Sequence, residues 1–193
     1  MFNQKILKME KGYVINENGE ILRGDYFFTN VQELRPQPLQ CNRSPWVMFL
    51  LNIITLGIYG TVITFAMGKE TNITCENDGK HTKGFWATIG LSIITLGIYA
   101  IVWVIGWMGR ESNFLRLRNE PVVITGGWYV VIAIISAVLQ AILTSVTQIP
   151  LLSLVVGWLI AFLLMALVIK KHNRVNEIYN LEHFPENIKE ATK

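Results

Sequence analysis

Leu51-Asn-Ile-Ile-Thr-Leu-Gly-Ile-Tyr-Gly60 returns forty residues later as Leu91-Ser-Ile-Ile-Thr-Leu-Gly-Ile-Tyr-Ala100, identical at eight of ten positions. Trp46 and Trp86 keep the same offset, and Met67-Gly-Lys-Glu-Thr-Asn72 is matched by Met108-Gly-Arg-Glu-Ser-Asn113 at an offset of 41. Generic apolar composition would yield leucines and valines but not this order. The pattern predicts a tandem duplicated unit, an apolar segment followed by a basic-acidic-Asn motif. Lys170-Lys-His-Asn-Arg-Val-Asn176 reads as a third, degraded copy of that motif. The extra residue in the second copy turns everything beyond it by about 100° on a helix. Glu70 and Glu111 then sit differently relative to their Thr-Leu-Gly-Ile-Tyr segments.

Both copies lie in runs without an Asp, Glu, Lys, Arg or His, between Arg43 and Lys69 and between Lys83 and Arg110; a third such run covers 121–169. Only 16% of residues are charged and 51% are apolar, against roughly 25% charged in a soluble domain. A soluble helix needs a wet face, and these runs have none. Each is long enough for the hydrocarbon layer, which takes about 20 residues in a helix. The fold class expected is therefore all-α, a multi-pass helical membrane bundle with four transmembrane helices. The first two spans are duplicates, at 46–68 and 86–109. A helical hairpin at 121–170 supplies the other two, at 128–148 and 150–169, broken at Thr147-Gln148-Ile149-Pro150. A proline suits the first turn of a helix. Residues 1–43 form a polar N-terminal segment with a hairpin signal around Asn18-Gly19, 44–120 the duplicated two-span unit, and 171–193 a polar C-terminal tail. Residues 1–12 lack the apolar core of a cleaved signal peptide, so the run from Trp46 is expected to act as the insertion signal.

Ile-Ile-Thr-Leu-Gly-Ile-Tyr followed by Arg-Glu-Ser-Asn resembles the bacterial membrane proteins of the DUF4234 family. The Thr-Leu-Gly-Ile-Tyr core is also similar to that of the DUF898 (YjgN-like) family. The resemblance covers 46–118, and the first copy departs from it in lacking an aromatic pair after Tyr59. It implies a membrane location and brings no biochemical activity with it.

Four crossings put both termini on one side, with Arg35, Arg43, Arg110, Arg116, Arg118, Lys170, Lys171 and Arg174. The positive-inside rule makes that side the cytoplasm, in the cytoplasmic membrane of a bacterium. Lys69, Lys80 and Lys83 then fall on the wrong side. A re-entrant arrangement, with each Thr-Leu-Gly-Ile-Tyr as the apex of a hairpin, removes that conflict. It asks for shielding of non-helical backbone that a small chain supplies with difficulty, so crossing is the expectation.

Asn52, Thr55 and Tyr59 share one helix face, as do Ser92, Thr95 and Tyr99. These polar stripes are expected to fix helix pairing; lining a solute path is the other reading. In the third span Ala133, Ala137 and Ala141 form a small-residue row beside Ser136, Gln140 and Thr144, a packing face. Lys69, Glu70 and Asn72, with Arg110, Glu111 and Asn113, form a membrane-surface motif at the span ends. It is expected to serve helix-end electrostatics, with headgroup or partner binding as the alternative. His81, His172 and His183 fall outside the apolar runs, with no metal spacing, catalytic triad or phosphate loop. No enzyme activity, cofactor, metal or nucleic acid is expected. The partners expected are the lipid bilayer and a second copy of the chain or another membrane protein. The function expected is that of a scaffold, accessory subunit or interaction partner in the bacterial envelope. The alternative is a channel or carrier for a small uncharged or weakly polar solute.

Overall fold

The computed structural model describes residues 6–10, 13–16, 21–23, 38–147 and 149–185. The chain divides into two compact units, Met1–Pro38 and Leu39–Lys193. The first holds a three-stranded antiparallel sheet in the order β1 (Ile6–Glu10), β2 (Tyr13–Asn16), β3 (Ile21–Arg23). β2 and β3 pair with Val14 opposite Arg23 and Ile15 opposite Ile21. The Asn18-Gly19 turn between them lies outside the described residues.

The second unit is helical: α1 (Pro45–Ile54), α2 (Ile58–Thr74), α3 (Phe85–Ile94), α4 (Ile98–Arg116), α5 (Gly126–Thr147) and α6 (Pro150–His183), with a 3₁₀ turn at Glu76–Asp78. Neither 46–68 nor 86–109 is the single straight helix expected of a span. Each apolar run doubles back at its Thr-Leu-Gly-Ile-Tyr segment. α1 ends in a Schellman motif: Gly57 N–H donates to Asn52 O at 2.8 Å and Leu56 N–H to Ile53 O at 3.1 Å. Leu56 takes φ 51° and Gly57 φ 92°, and α2 starts at the next residue. The same bonds close α3, from Gly97 to Ser92 at 2.7 Å and from Leu96 to Ile93 at 3.2 Å, with Leu96 at φ 50° and Gly97 at φ 89°.

Long-range contacts fix the return. Arg43, just before α1, pairs with Glu70 near the end of α2. Trp103 Nε1 in α4 donates to Lys83 O, just before α3, at 2.8 Å. Straight helices would hold those pairs about 30–40 Å apart at 1.5 Å per residue. α1 and α3 have 10 residues each, an arm of about 15 Å.

Two helices, α5 and α6, are long and apolar enough to cross a membrane. α6 runs unbroken for 34 residues through the stretch expected to begin a separate tail. Beyond 169 it packs Val175, Ile178 and Tyr179 against Phe114 and Leu115 of α4. A second apolar cluster joins Met48, Met67, Trp103, Trp107, Leu164 and Ile169. Outside these clusters the unit is greasy on its surface: Ile54, Leu56, Trp86, Ile94, Leu96 and Trp128 are all exposed.

Candidate functional site

The polar residues of the two turns are used locally. Thr55 Oγ1 donates to Leu51 O and accepts from Tyr59 N–H at 2.9 Å. Thr95 repeats both bonds with Leu91 and Tyr99. Asn52 Oδ1 accepts from Gly60 N–H at 3.0 Å, capping the first turn of α2. These bonds satisfy helix-terminal N–H groups that have no partner in their own helix. Asn52, Thr55 and Thr95 are thus turn-closing groups, and Ser92 Oγ is buried with no partner. Tyr59 and Tyr99 pack at the edge of the apolar core. Gly57 and Gly97 are needed for positive φ, not for close approach, since a Cβ there would meet nothing within 4 Å.

The expected packing face of α5 divides. Its polar row faces α6: Thr144 Oγ1 donates to Ser153 Oγ at 2.9 Å, and Gln140 lies where a Cβ on Gly157 would sit. Gln140 also bonds Ser136 within α5. Ala133 packs at the core edge, whereas Ala137 and Ala141 are exposed.

The charged motifs converge where the bases of both hairpins meet α6. Arg43, Glu70, His172, Glu111 and Lys171 form an alternating chain of charges. Arg43 forks onto Glu70. His172 Nε2 lies 2.9 Å from Glu70 Oε2, and His172 Nδ1 lies 2.7 Å from Glu111 Oε1. Lys171 Nζ lies 3.2 Å from Glu111 Oε2 and donates to Met108 O at 3.0 Å. Glu111, Lys171 and His172 are 0% exposed. Burial opposes the charged form of His172, but the Glu111 and Glu70 carboxylates against its two ring nitrogens overcome it and raise its pKa, favouring the ring with both nitrogens donating. Burial alone would push Glu70 up, but the bonds and charges of His172 and Arg43 outweigh it and lower it to about 2. Burial likewise opposes ionisation of Glu111, and the charges of His172 and Lys171 overcome it, holding the carboxyl below its ordinary range.

The one-residue offset between the copies matters here. By helical phase, Glu111 corresponds to Thr71, not to Glu70. Thr71 Oγ1 donates to Glu111 Oε1 at 3.0 Å and accepts from Trp107 Nε1 at 2.8 Å. Arg110 turns outward instead, to Asp78, Asn72 and Thr82. Asn72 also clasps the Thr82 backbone in both directions. The helix-end expectation for Glu70, Asn72, Arg110 and Glu111 is therefore replaced by a buried network, while Lys69 and Asn113 stay exposed outside it.

α6 also grips the entry to the first hairpin. Asn173 bonds the Arg43 backbone in both directions, Asn180 does the same for Leu39, and Asn176 Nδ2 donates to Gln40 O. The spacing of three and four puts these asparagines on one helix face. Sequence reading missed His172 and these three residues.

Residues 43–85 match the family model for DUF4234, a domain of unknown function. The matched segment begins at Arg43, the entry clamp, and takes in the whole first hairpin with Glu70. No curated protein and no solved structure matches the chain. Among the described residues, no three His, Cys, Asp or Glu side chains are placed to hold a metal ion. The cluster's groups are engaged with one another. Its chemistry is that of a clamp, which fastens two hairpin bases to α6 through charges that are costly to unpair.

Proposed function

We propose that this chain is a non-catalytic integral membrane protein of the bacterial envelope, a scaffold that fills one leaflet of the bilayer more than the other. In this reading the two hairpins are duplicated DUF4234 units that enter from the cytoplasmic face and turn back at mid-depth. α5 and α6 cross. The carrying observation is the pair of hairpin tips: Leu56 and Leu96 are 93% and 94% exposed at the ends of arms of about 15 Å. That is half of the roughly 30 Å hydrocarbon layer. The cytoplasmic half would hold sections of all six helices, and the other half only α5 and α6.

Charge distribution supports the same placement. The basic residues at 43, 69, 80, 83, 110, 116, 118, 170, 171 and 174 then all fall on one side. The α5–α6 turn on the other side carries no charge. The three lysines of the 69–84 loop no longer oppose the positive-inside rule. The solute-path reading loses its lining, because Asn52, Thr55 and Thr95 close turns.

The test is curvature sorting. Labelled protein is reconstituted in giant vesicles with its termini outward, and a membrane tube is drawn out. A wedge broad in the outer leaflet concentrates on the tube relative to the vesicle. Equal density on tube and vesicle would refute the wedge.

A further inference from the structure

Where α6 passes from Ile169 to Lys170, its last apolar and first charged residues at this end, the surface opens into a cavity of about 570 Å³. That lies within the range of small-molecule pockets, about 300–1,000 Å³. One wall is apolar, formed by Ala166 and Ile169 of α6 with Pro121 and Val123 of the α4–α5 connection. The other is cationic, with Arg43 and Lys170. Arg174 also lines the cavity, its charge held by Glu120 and by Glu177, a carboxylate of the same lining.

Two features of the cationic wall point to an anion. The Arg43 side chain is 9% exposed, and its Nε is buried without a hydrogen-bond partner although its terminal nitrogens hold Glu70. Lys170 is exposed and makes no ion pair among the described residues. Behind them, the Arg43–Glu70–His172–Glu111–Lys171 chain carries three cations against two carboxylates.

The geometry points to a binding site for an anionic glycerophospholipid. Its phosphate meets Arg43 and Lys170, and its acyl chains run down the Ala166–Ile169 face of α6. The occupant is amphiphilic because the cavity is: a free phosphate would leave the apolar wall uncovered, and a zwitterionic lipid would bring its own ammonium group towards the basic residues that draw its phosphate. This site rests on the membrane reading proposed above, but not on the depth of the hairpins or on any wedge action.

The experiment is native mass spectrometry of the full chain in detergent, titrated with phosphatidylglycerol and phosphatidylcholine. A basic residue near an anionic headgroup contributes roughly fivefold in affinity. Phosphatidylglycerol adducts are therefore expected to exceed phosphatidylcholine adducts about fivefold or more. Lys170→Ala reduces that preference about fivefold. Ala166→Trp, which fills the apolar wall, lowers retention of both lipids. Lys69→Ala, an exposed lysine outside the cavity, leaves the preference unchanged. Equal binding of the two lipids would overturn the site. So would an equal loss in Lys69→Ala, which would mean diffuse charge attraction. Displacement of the lipid by excess inorganic phosphate would also overturn it, by reducing the site to one for a simple anion. Because the readout is in detergent, each of these failures leaves the tube-sorting test untouched.

Discussion

The two aligned decapeptides differ at only two positions, and in the first hairpin these two touch. Asn52 Oδ1 accepts from Gly60 N–H, and a Cβ on Gly60 would stand 2.3 Å from that oxygen. The second hairpin has the shorter Ser92 and carries Ala100 opposite it. Gly60→Ala alone must displace the Asn52 side chain and break its cap. Overpacking costs about 1–3 kcal/mol, partly offset by about 1 kcal/mol of helix propensity. Asn52→Ser alone loses the cap, at about 0.5–2 kcal/mol. The double variant recreates the second hairpin's pair, and the propensity gain offsets the lost cap. Its stability is expected within about 1 kcal/mol of wild type, with a coupling of about 1–3 kcal/mol between the sites. The assay is thermal unfolding in detergent followed by tryptophan fluorescence, since Trp103 and Trp107 are buried in the core. For a chain of this size, 1 kcal/mol moves the midpoint about 2–4 °C. Gly60→Ala should lower it by several degrees, and Asn52→Ser added to it should restore most of the loss. Additivity of the two within about 0.5 kcal/mol would refute the geometry of the turn.

Four further outcomes follow from the same architecture. In a cysteine-free background, Lys80→Cys should resist a membrane-impermeant maleimide added outside intact cells, while Ile149→Cys in the α5–α6 turn reacts; labelling at 80 would restore a crossing first hairpin. (Native Cys75 is a poor reporter, because burial pushes its thiol up to about 11.) Glu111→Gln strips the carboxylate from between the buried Lys171 and His172, and should cost about 3–5 kcal/mol, seen as a fall of roughly 6–20 °C in midpoint; a fall under about 4 °C would remove the clamp from the account. Glu70 titrates near 2 when folded against an ordinary 4.5, so its contribution is complete above 4.5 and drains away as pH falls towards 2; in a detergent pH series Glu70→Gln should flatten the acid limb, and an unchanged limb would contradict this. Leu56→Gly with Leu96→Gly relieves strain of about 1–3 kcal/mol at each leucine but removes apolar side chains worth a comparable ~1.5–3 kcal/mol each in hydrocarbon, so the midpoint in detergent should move little while tube sorting weakens; unchanged sorting would refute the placing of the tips.

Much of this fold is legible in the sequence, and the rest is hidden for physical reasons. Helices α5 and α6 lie close to the spans expected, because a long apolar run with a proline at its break has few other solutions. The turns of the first two runs are invisible to the same reasoning. A run of about 25 residues without charge suits one crossing of the bilayer or two half-crossings equally well. Thr-Leu-Gly-Ile-Tyr holds no proline and no polar cluster, and its left-handed cap falls on a leucine. The periodic placing of Asn52 and Thr55 reads as a helix face, yet both reach across the turn. His172 escaped notice because its partners, Glu111 and Glu70, lie 61 and 102 residues away. The lysines of the 69–84 loop, at odds with four crossings, are the available signal, together with Lys170-Lys-His-Asn-Arg-Val-Asn176, which meets the two Glu-bearing motifs at the buried cluster.

The strained leucines bear on where the tips reside. A glycine at 56 or 96 would adopt the left-handed backbone without steric strain, and the next residue in each copy is already a glycine. Nothing in the packing calls for leucine, because both side chains are almost wholly exposed. In water the choice is unfavourable twice over, once for the backbone and once for the bare side chain. In hydrocarbon the two effects offset each other. Taking a leucine side chain out of water contributes about 1.5–3 kcal/mol, comparable to the strain at its backbone. A tip surrounded by lipid therefore makes sense of the same costly residue at both apices, and a tip surrounded by water does not.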